Sequence, residues 1–330
     1  MIDKDNYLEV KNLTVEYTSE GKIVNAVNGV SFNLKRGRTL GLVGETGAGK
    51  TSIAKAILRI LPEPGGKITE GEVYLNGKDI LKLKEKEMRK LRGREISMIF
   101  QDPMTSLNPV KRVLDQISEV IKTHNKNMSN AEATAEAIRM LAKVGIAENR
   151  TREYPHQFSG GMKQRVVIAM ALACNPGLLL ADEPTTALDV TIQAQVLEMI
   201  NKLKQDYNTA MIMITHDLGV VAEVCDDVAV IYAGEVIEYG SKEDVFDYPT
   251  HPYTKGLFSA IPDLYSHVKR LSPIDGMPPD PSDLPNGCNF SPRCPYATND
   301  CKKIEIPLTT ISDGHVCRCC NLDKVYGGEK

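Results

Sequence analysis

Glycine, lysine and threonine fall together in Gly44-Glu45-Thr46-Gly47-Ala48-Gly49-Lys50-Thr51, a spacing in which glycines let successive backbone N–H groups curl round phosphate oxygens. In such a loop Lys50 reaches the β- and γ-phosphates of a nucleotide and Thr51 ligates magnesium, with Ser52 next along the same turn. A second set is the apolar run Leu178-Leu179-Leu180-Ala181, which ends in Asp182 and Glu183. A buried strand there would hold both carboxylates still, the first to coordinate magnesium and the second to orient and deprotonate an attacking water. A third is Phe158-Ser159-Gly160-Gly161-Met162-Lys163-Gln164-Arg165. It reads as a helix start, where Ser159 and the Gly160 and Gly161 amides can face an anion at the positive end of the helix dipole. A fourth is the crowding of Cys288, Cys294, Cys301, Cys317, Cys319 and Cys320 near the end of the chain, while Cys174 and Cys225 stand alone as core thiols.

The elements that must position these groups alternate. Leu8 to Tyr17, Val30 to Leu34 and Thr39 to Val43 have strand character, the last running into the glycine loop. Thr51 to Leu61 reads as a helix ended by Pro62. Lys78 to Arg94 is charge-rich with leucines at amphipathic spacing, a helix with a solvated face. Val113 to Val144 is helical, with Ser129 and Glu132 spaced as a capping box, and Gln164 to Ala173 is a further helix. Leu178 to Ala181 and Ala210 to Ile214 suit buried parallel strands. Such alternation predicts an α/β layer architecture. Beyond Tyr248 a series of prolines, Pro262 and Pro273 among them, breaks regular structure and predicts a boundary.

With 330 residues and about 150 per domain, two units are expected. Hydrophobic residues at 42% and charged residues at 25% exclude a disordered chain. A net charge of −3 offers no general attraction for nucleic acid or anionic lipid. The longest apolar run, Val166 to Cys174, falls well short of the roughly 20 residues that span a bilayer, and the acidic start of the chain shows no secretory signal. A cytoplasmic placement follows as the expectation, and with it metal or redox chemistry for the cysteines in place of disulfides.

The Ser159-Gly160-Gly161 segment resembles the signature sequence of the ATP-binding cassette ATPases, and further matches follow in that family's order from Leu8 to about Gly240. Gln101 resembles the Q-loop glutamine, which meets magnesium and the attacking water and senses the transporter. Ala187-Leu188-Asp189 resembles the D-loop, His216 the switch histidine on the γ-phosphate, and Tyr17 the aromatic that stacks on adenine. The resemblance implies a P-loop NTPase fold with a RecA-like core, an antiparallel β subdomain and a helical subdomain at about 103–165, within an ATPase domain 1–247. It implies catalytic roles for Glu183, His216, Gln101 and Lys50, and magnesium at Thr51, Gln101 and Asp182. It further implies that each nucleotide is completed in trans by Ser159, Gly160, Gly161 and Asp189 of a second cassette.

Ile99-Phe100-Gln101-Asp102-Pro103, Phe158 and Met162 in the signature, and His251-Pro252-Tyr253-Thr254-Lys255-Gly256-Leu257 resemble one branch, the dipeptide and oligopeptide importers, with nickel importers as neighbours. That resemblance implies a second homologous ATPase as heterodimer partner, two permease subunits, an extracellular peptide-binding protein, and a prokaryotic, peripheral location on the cytoplasmic face of the membrane. A soluble cassette ATPase acting on DNA or ribosomes is the reading from another class. It usually needs two cassettes or a coiled-coil insertion, and nucleic acid is further disfavoured by the acids of the tail, such as Asp275 and Asp280. In 248–330 the spacing C-x5-C-x6-C of Cys288, Cys294 and Cys301, followed by Cys319, lacks the CxxC of a zinc ribbon. Four thiolates in a segment with little core suggest a metal staple. An iron–sulfur cluster, zinc with His315 as a Cys3His site, and redox thiols all remain open on the spacing. The branch resemblance implies 4Fe-4S on Cys288, Cys294, Cys301 and Cys319.

Overall fold

The structure, a computed structural model, describes residues 6–19, 21–186, 188–259, 274–302 and 306–323. Its first half runs β1 (Asn6–Ser19), β2 (Lys22–Lys35), β3 (Thr39–Val43), α1 (Lys50–Leu58), β4 (Gly66–Leu75), β5 (Lys78–Asp79), α2 (Glu85–Leu91) and β6 (Ile96–Ile99). Then come α3 (Pro103–Ser106), α4 (Val113–His124), α5 (Asn130–Lys143), α6 (Gly160–Leu172), β7 (Leu178–Asp182), α7 (Val190–Tyr207) and β8 (Ala210–Ile214). The remainder is α8 (Leu218–Val224), β9 (Asp227–Tyr232), β10 (Glu235–Ser241), α9 (Lys242–Asp247), α10 (Pro252–Ser259), β11 (Thr309–Ser312) and β12 (His315–Cys317). Two compact units interleave along this order. One gathers Met1–Leu8, Leu34–Thr39 and Lys82–Ile214, the other Glu9–Asn33, Leu40–Leu81 and Thr215–Lys330.

In the first unit β6, β7 and β8 pair in parallel, Ile96 opposite Leu178 and Leu178 opposite Ala210. Every residue of the three strands is buried, which is why they read as unbroken apolar runs: helices cover both faces of a parallel sheet. The predicted helix over Val113 to Val144 divides into α4 and α5. Asn125 Nδ2 takes the Ile121 carbonyl at the end of α4, and Ser129 opens α5 with the capping box its spacing predicts, Ser129 N donating to Glu132 Oε2 at 2.6 Å and Glu132 N to Ser129 Oγ at 3.2 Å. α6 is buried from Val166 to Ala169 and again at Ala171 and Leu172.

In the second unit β2, β1, β4 and β5 form one sheet in that order. A second sheet sets β3 parallel to β9 and then adds β10, β12 and β11 as antiparallel neighbours. Three sequence expectations change here. The helix after the glycine loop stops at Leu58, since Arg59 turns left-handed, its N–H returning to the Ala56 carbonyl and the Ile60 N–H to that of Lys55. The charge-rich stretch is helical only over Glu85–Leu91. Lys78–Asp79 pairs with β4, and Asp79 Oδ1 accepts the Leu81 N–H, a side-chain turn that competes with a helix. The tail is not short of core: β12 extends the sheet with Cys317 opposite Glu238, and Phe290, Cys301, Ile306 and Cys317 are buried. Among the predicted tail breakers, Pro262 and Pro273 lie outside the described residues.

Candidate functional site

The glycine loop leaves β3 and enters α1 with Gly44 at φ 149°, Gly47 at φ 82° and Gly49 at φ 101°. A Cβ on Gly44 would fall 2.1 Å from the Ile231 carbonyl oxygen, and one on Gly49 2.2 Å from that of Ala26. Both positions therefore need glycine for space as well as for dihedral freedom. Lys50 is buried, its Nζ donating to the carbonyls of Gly44 at 2.6 Å and Glu45 at 2.8 Å. The loop is thus wrapped round its own ammonium group. Its shape gathers backbone N–H groups and the N-terminus of α1 in one place, chemistry suited to an anion. Tyr17, on β1, donates to Ser52 Oγ at 3.0 Å. His216 is exposed just before α8, whose first turn is capped by Asp217 Oδ1 accepting from Gly219 and Val220.

Asp182 and Glu183 sit at the end of β7 in the other unit. Asp182 is buried opposite Ile214. Glu183 takes a left-handed backbone, φ 47°, held by its N–H on the Ile214 carbonyl at 2.8 Å. Its Oε2 accepts from Gln101 Nε2 at 2.8 Å and from Thr186 Oγ1 at 2.9 Å. Gln101 and Glu183, 82 residues apart in the chain, are therefore in direct contact, the carboxylate aimed by two donors. Ser159 caps α6 by accepting the Met162 N–H, leaving the Gly160 side of the helix start open: a Cβ there would meet nothing within 4 Å, while one on Gly161 would strike Ile192 at 2.8 Å. Asp189 caps α7, its Oδ1 accepting from Ile192 N; Ala187 lies outside the described residues.

Two attachments of the glycine loop escape the sequence reading. Glu45 N donates to Tyr253 Oη at 2.9 Å. The Glu45 carboxylate forms a two-pronged ion pair with Arg293, Nη1 to Oε2 at 2.9 Å and Nη2 to Oε1 at 3.0 Å. That contact with Glu45 raises the Arg293 pKa further above its ordinary value. Burial pushes the Tyr253 phenol well above the usual tyrosine range, so it stays protonated. Tyr253 is placed in turn by Glu238, a fully buried carboxylate that accepts the Thr250 N–H at 2.7 Å and the His251 N–H at 2.8 Å. His315 Nε2 lies 2.9 Å from the same carboxylate. Burial drives the His251 pKa down to about 4, leaving a neutral ring whose Nδ1 accepts the Tyr253 N–H at 3.1 Å. The sequence signal for this set is confined to His251-Pro252-Tyr253 and Arg293; nothing local announces their target.

The tail thiols divide. Cys288, Cys294, Cys301, Cys319 and Cys320 line one small cavity with His251 and Phe290. Cys301 Sγ is 3.4 Å from Cys320 Sγ and accepts from Asn321 Nδ2 at 3.2 Å. Asn321 N donates to Cys319 Sγ at 3.4 Å. Burial raises the Cys288 and Cys294 thiols to about 11. Cys317 is drawn away onto β12, and His315 faces Glu238 and does not line the thiol cavity, so a Cys3His zinc site there lacks its histidine. Among the described residues no group of three or more His, Cys, Asp or Glu is arranged to hold a metal ion. Of the two isolated thiols, Cys225 is buried, as expected of a core residue, and Cys174 partly so.

Residues 27–186 match the family model described as ABC transporter, and residues 237–301 match that of the oligopeptide/dipeptide transporter C-terminal region. The chain is 50% identical to the dipeptide transport ATP-binding protein DppD of Bacillus subtilis (strain 168), over 96% of this chain and 94% of that protein. It is 52% identical to the oligopeptide transport ATP-binding protein OppD of Escherichia coli (strain K12), over 96% and 93%. Among solved structures it resembles the ATP-binding cassette MJ0796, a dimer in a post-hydrolysis state bound to ADP and Pi, with TM-score 0.64 and 30% identity over 71% of this chain and 98% of that one.

Proposed function

Because the chain belongs to the ATP-binding proteins of ABC transporters, in the oligopeptide/dipeptide group, we infer that it hydrolyses ATP to power import of di- or oligopeptides through a pair of membrane permeases. The observation that carries the nucleotide reading is the loop Gly44–Thr51 closed round Lys50 Nζ, because burying an ammonium against two carbonyls keeps a cation where phosphates would arrive. Identity of 50–52% with peptide-transport ATPases over nearly the whole chain supports the substrate class. We divide the chain at 247/248 into ATPase and importer-specific parts; the transporter match ends at residue 186 and the C-terminal-region match begins at 237, ahead of that division.

In this reading Lys50 and the loop amides bind the β- and γ-phosphates, and Tyr17 meets the adenine. Thr51, Asp182 and Gln101 would hold magnesium, which when bound supplies charge stabilisation for phosphoryl transfer. Glu183 takes the proton of the attacking water, Gln101 and Thr186 orienting its carboxylate. His216 donates to the γ-phosphate. Ser159, Gly160, Gly161 and Asp189 serve the nucleotide of a second, homologous cassette, so that ATP joins two chains and hydrolysis releases them. The peptide-binding protein and permeases deliver the cargo. The chain is placed in this reading as a peripheral subunit docked on the cytoplasmic side; among the described residues no helix is long and apolar enough to cross a membrane. Lys50→Ala should weaken ATP binding about 10- to 100-fold, the loss of a charge-assisted contact. Titration with a fluorescent ATP analogue, and peptide uptake into vesicles carrying the permeases, measure it; unchanged affinity and uptake would refute the reading.

We further propose that Cys288, Cys294, Cys301 and Cys319 would hold a 4Fe-4S cluster. Its support is the convergence of all four on one cavity, with Asn321 N–H groups directed at sulfur, an all-thiol donor set of the kind such clusters take. When bound, the group would tie these four positions together; the hydrogen-bonded anchor on Glu238 does not depend on it. Protein purified without oxygen should be brown, with visible absorbance bleached by dithionite, and should keep its fold after iron is chelated. A colourless, iron-free sample would reject the cluster.

A further inference from the structure

The glycine loop carries an acid of its own. Glu45 is the second residue of a segment whose amides and Lys50 gather positive potential, and its carboxylate would repel a polyphosphate. Arg293 answers that charge. Its side chain is 5% exposed against 28% for Glu45, and each nitrogen of the guanidinium is engaged: Nη1 on Glu45 and Tyr232 Oη, Nη2 on Glu45 and the Ile274 carbonyl, Nε on the Asp275 carbonyl at 3.0 Å. A planar fork held at all three nitrogens is pre-organised for a two-pronged carboxylate contact. Beneath it Tyr232, Tyr253 and Phe290 pack ring on ring, with centroids 4.7 to 5.5 Å apart, which fixes the arginine and the Tyr253 hydroxyl against the same residue of the loop.

We propose that Arg293 is a positioning residue for nucleotide binding: it neutralises Glu45 beside the phosphate site, while Tyr253 holds the first turn of the loop through the Glu45 N–H. The tail is thereby part of the nucleotide-binding machinery. Tyr253 occupies the Glu45 N–H, directing the loop's remaining amides to the phosphates, and Arg293 removes the charge that would oppose them.

The proposal rests on the nucleotide reading above, and three variants of the full-length chain separate the two, read by titration with a fluorescent ATP analogue in magnesium buffer. Arg293→Ala leaves Glu45 uncompensated and should weaken binding on the order of tenfold. Glu45→Gln removes the acid and leaves the arginine, so it should bind more tightly than the parent. The double variant Glu45→Gln/Arg293→Ala should fall between them, rescuing the arginine loss. Binding by Arg293→Ala equal to the parent would overturn the proposal. So would weakening by Glu45→Gln, since a purely mechanical brace fails from either end; that single variant decides the matter even if Arg293→Ala does not fold. If the parent itself binds no nucleotide, and Lys50→Ala behaves identically, the nucleotide reading fails instead.

Discussion

Glu183→Gln should abolish nearly all ATP turnover, by about 10²- to 10⁴-fold, the range that a positioned general base contributes, while ATP binding persists. The change is close to isosteric and removes only basicity. Gln101 Nε2 and Thr186 Oγ1 can still donate to the side-chain oxygen that they hold at 2.8 and 2.9 Å, and the backbone stays pinned on Ile214. Binding is left to Lys50 and the loop amides, which the substitution does not touch. The variant should therefore accumulate as an ATP-bound dimer, visible as a concentration-dependent shift in size-exclusion chromatography that the parent shows only transiently. Phosphate release within tenfold of the parent would remove Glu183 from the base role.

The largest loss of stability should come from Glu238→Ala. This carboxylate is fully buried and satisfies two backbone N–H groups while facing His315. Removing one member of such a network strands the others without solvent and costs about 3–5 kcal/mol. Glu238→Gln keeps an acceptor oxygen and should cost about 1–2 kcal/mol, close to the loss of one charge-assisted bond. Urea unfolding followed by circular dichroism measures both. Equal, small losses would mean that the tail is held by its ring packing alone. Because Glu238 sets His251 and through it Tyr253, the alanine variant should also lose the Tyr253 contact with the loop.

What could be read from the chain was whatever the chain writes contiguously. The glycine loop, the Asp182-Glu183 pair and the start of α6 are each local, their residues adjacent and their geometry set by one strand end or one helix end. The contact between Gln101 and Glu183 was legible only through family order, because β6 and β7 must pair before the two meet. Tyr253 stands in the importer motif and Arg293 next to a tail cysteine, yet their common target, 248 residues from Arg293 and 208 from Tyr253, leaves no trace in periodicity. The tail misled in the opposite sense. Prolines suggested little core, and β11 and β12, at four and three residues, are too short to alternate visibly; their stability comes from an existing edge, β10, that local sequence does not reveal. Lys78 to Arg94 misled because leucine spacing favours a helix, whereas one aspartate turn and two residues of pairing decide the local structure.

The left-handed backbone of Glu183 places a side chain with a full Cβ where glycine or asparagine would sit with less strain, at about 1–2 kcal/mol. Conformational economy and catalysis therefore pull this position in opposite directions. Once selection for turnover is relaxed, as in a duplicated gene whose partner subunit carries the working site, replacement of Glu183 by glycine or asparagine relieves that strain, against the loss of the bonds from Gln101 and Thr186. Degenerate cassettes descended from such a chain should lose the carboxylate early and keep the glycine loop, turning one engine of a pair into a durable, nucleotide-holding scaffold.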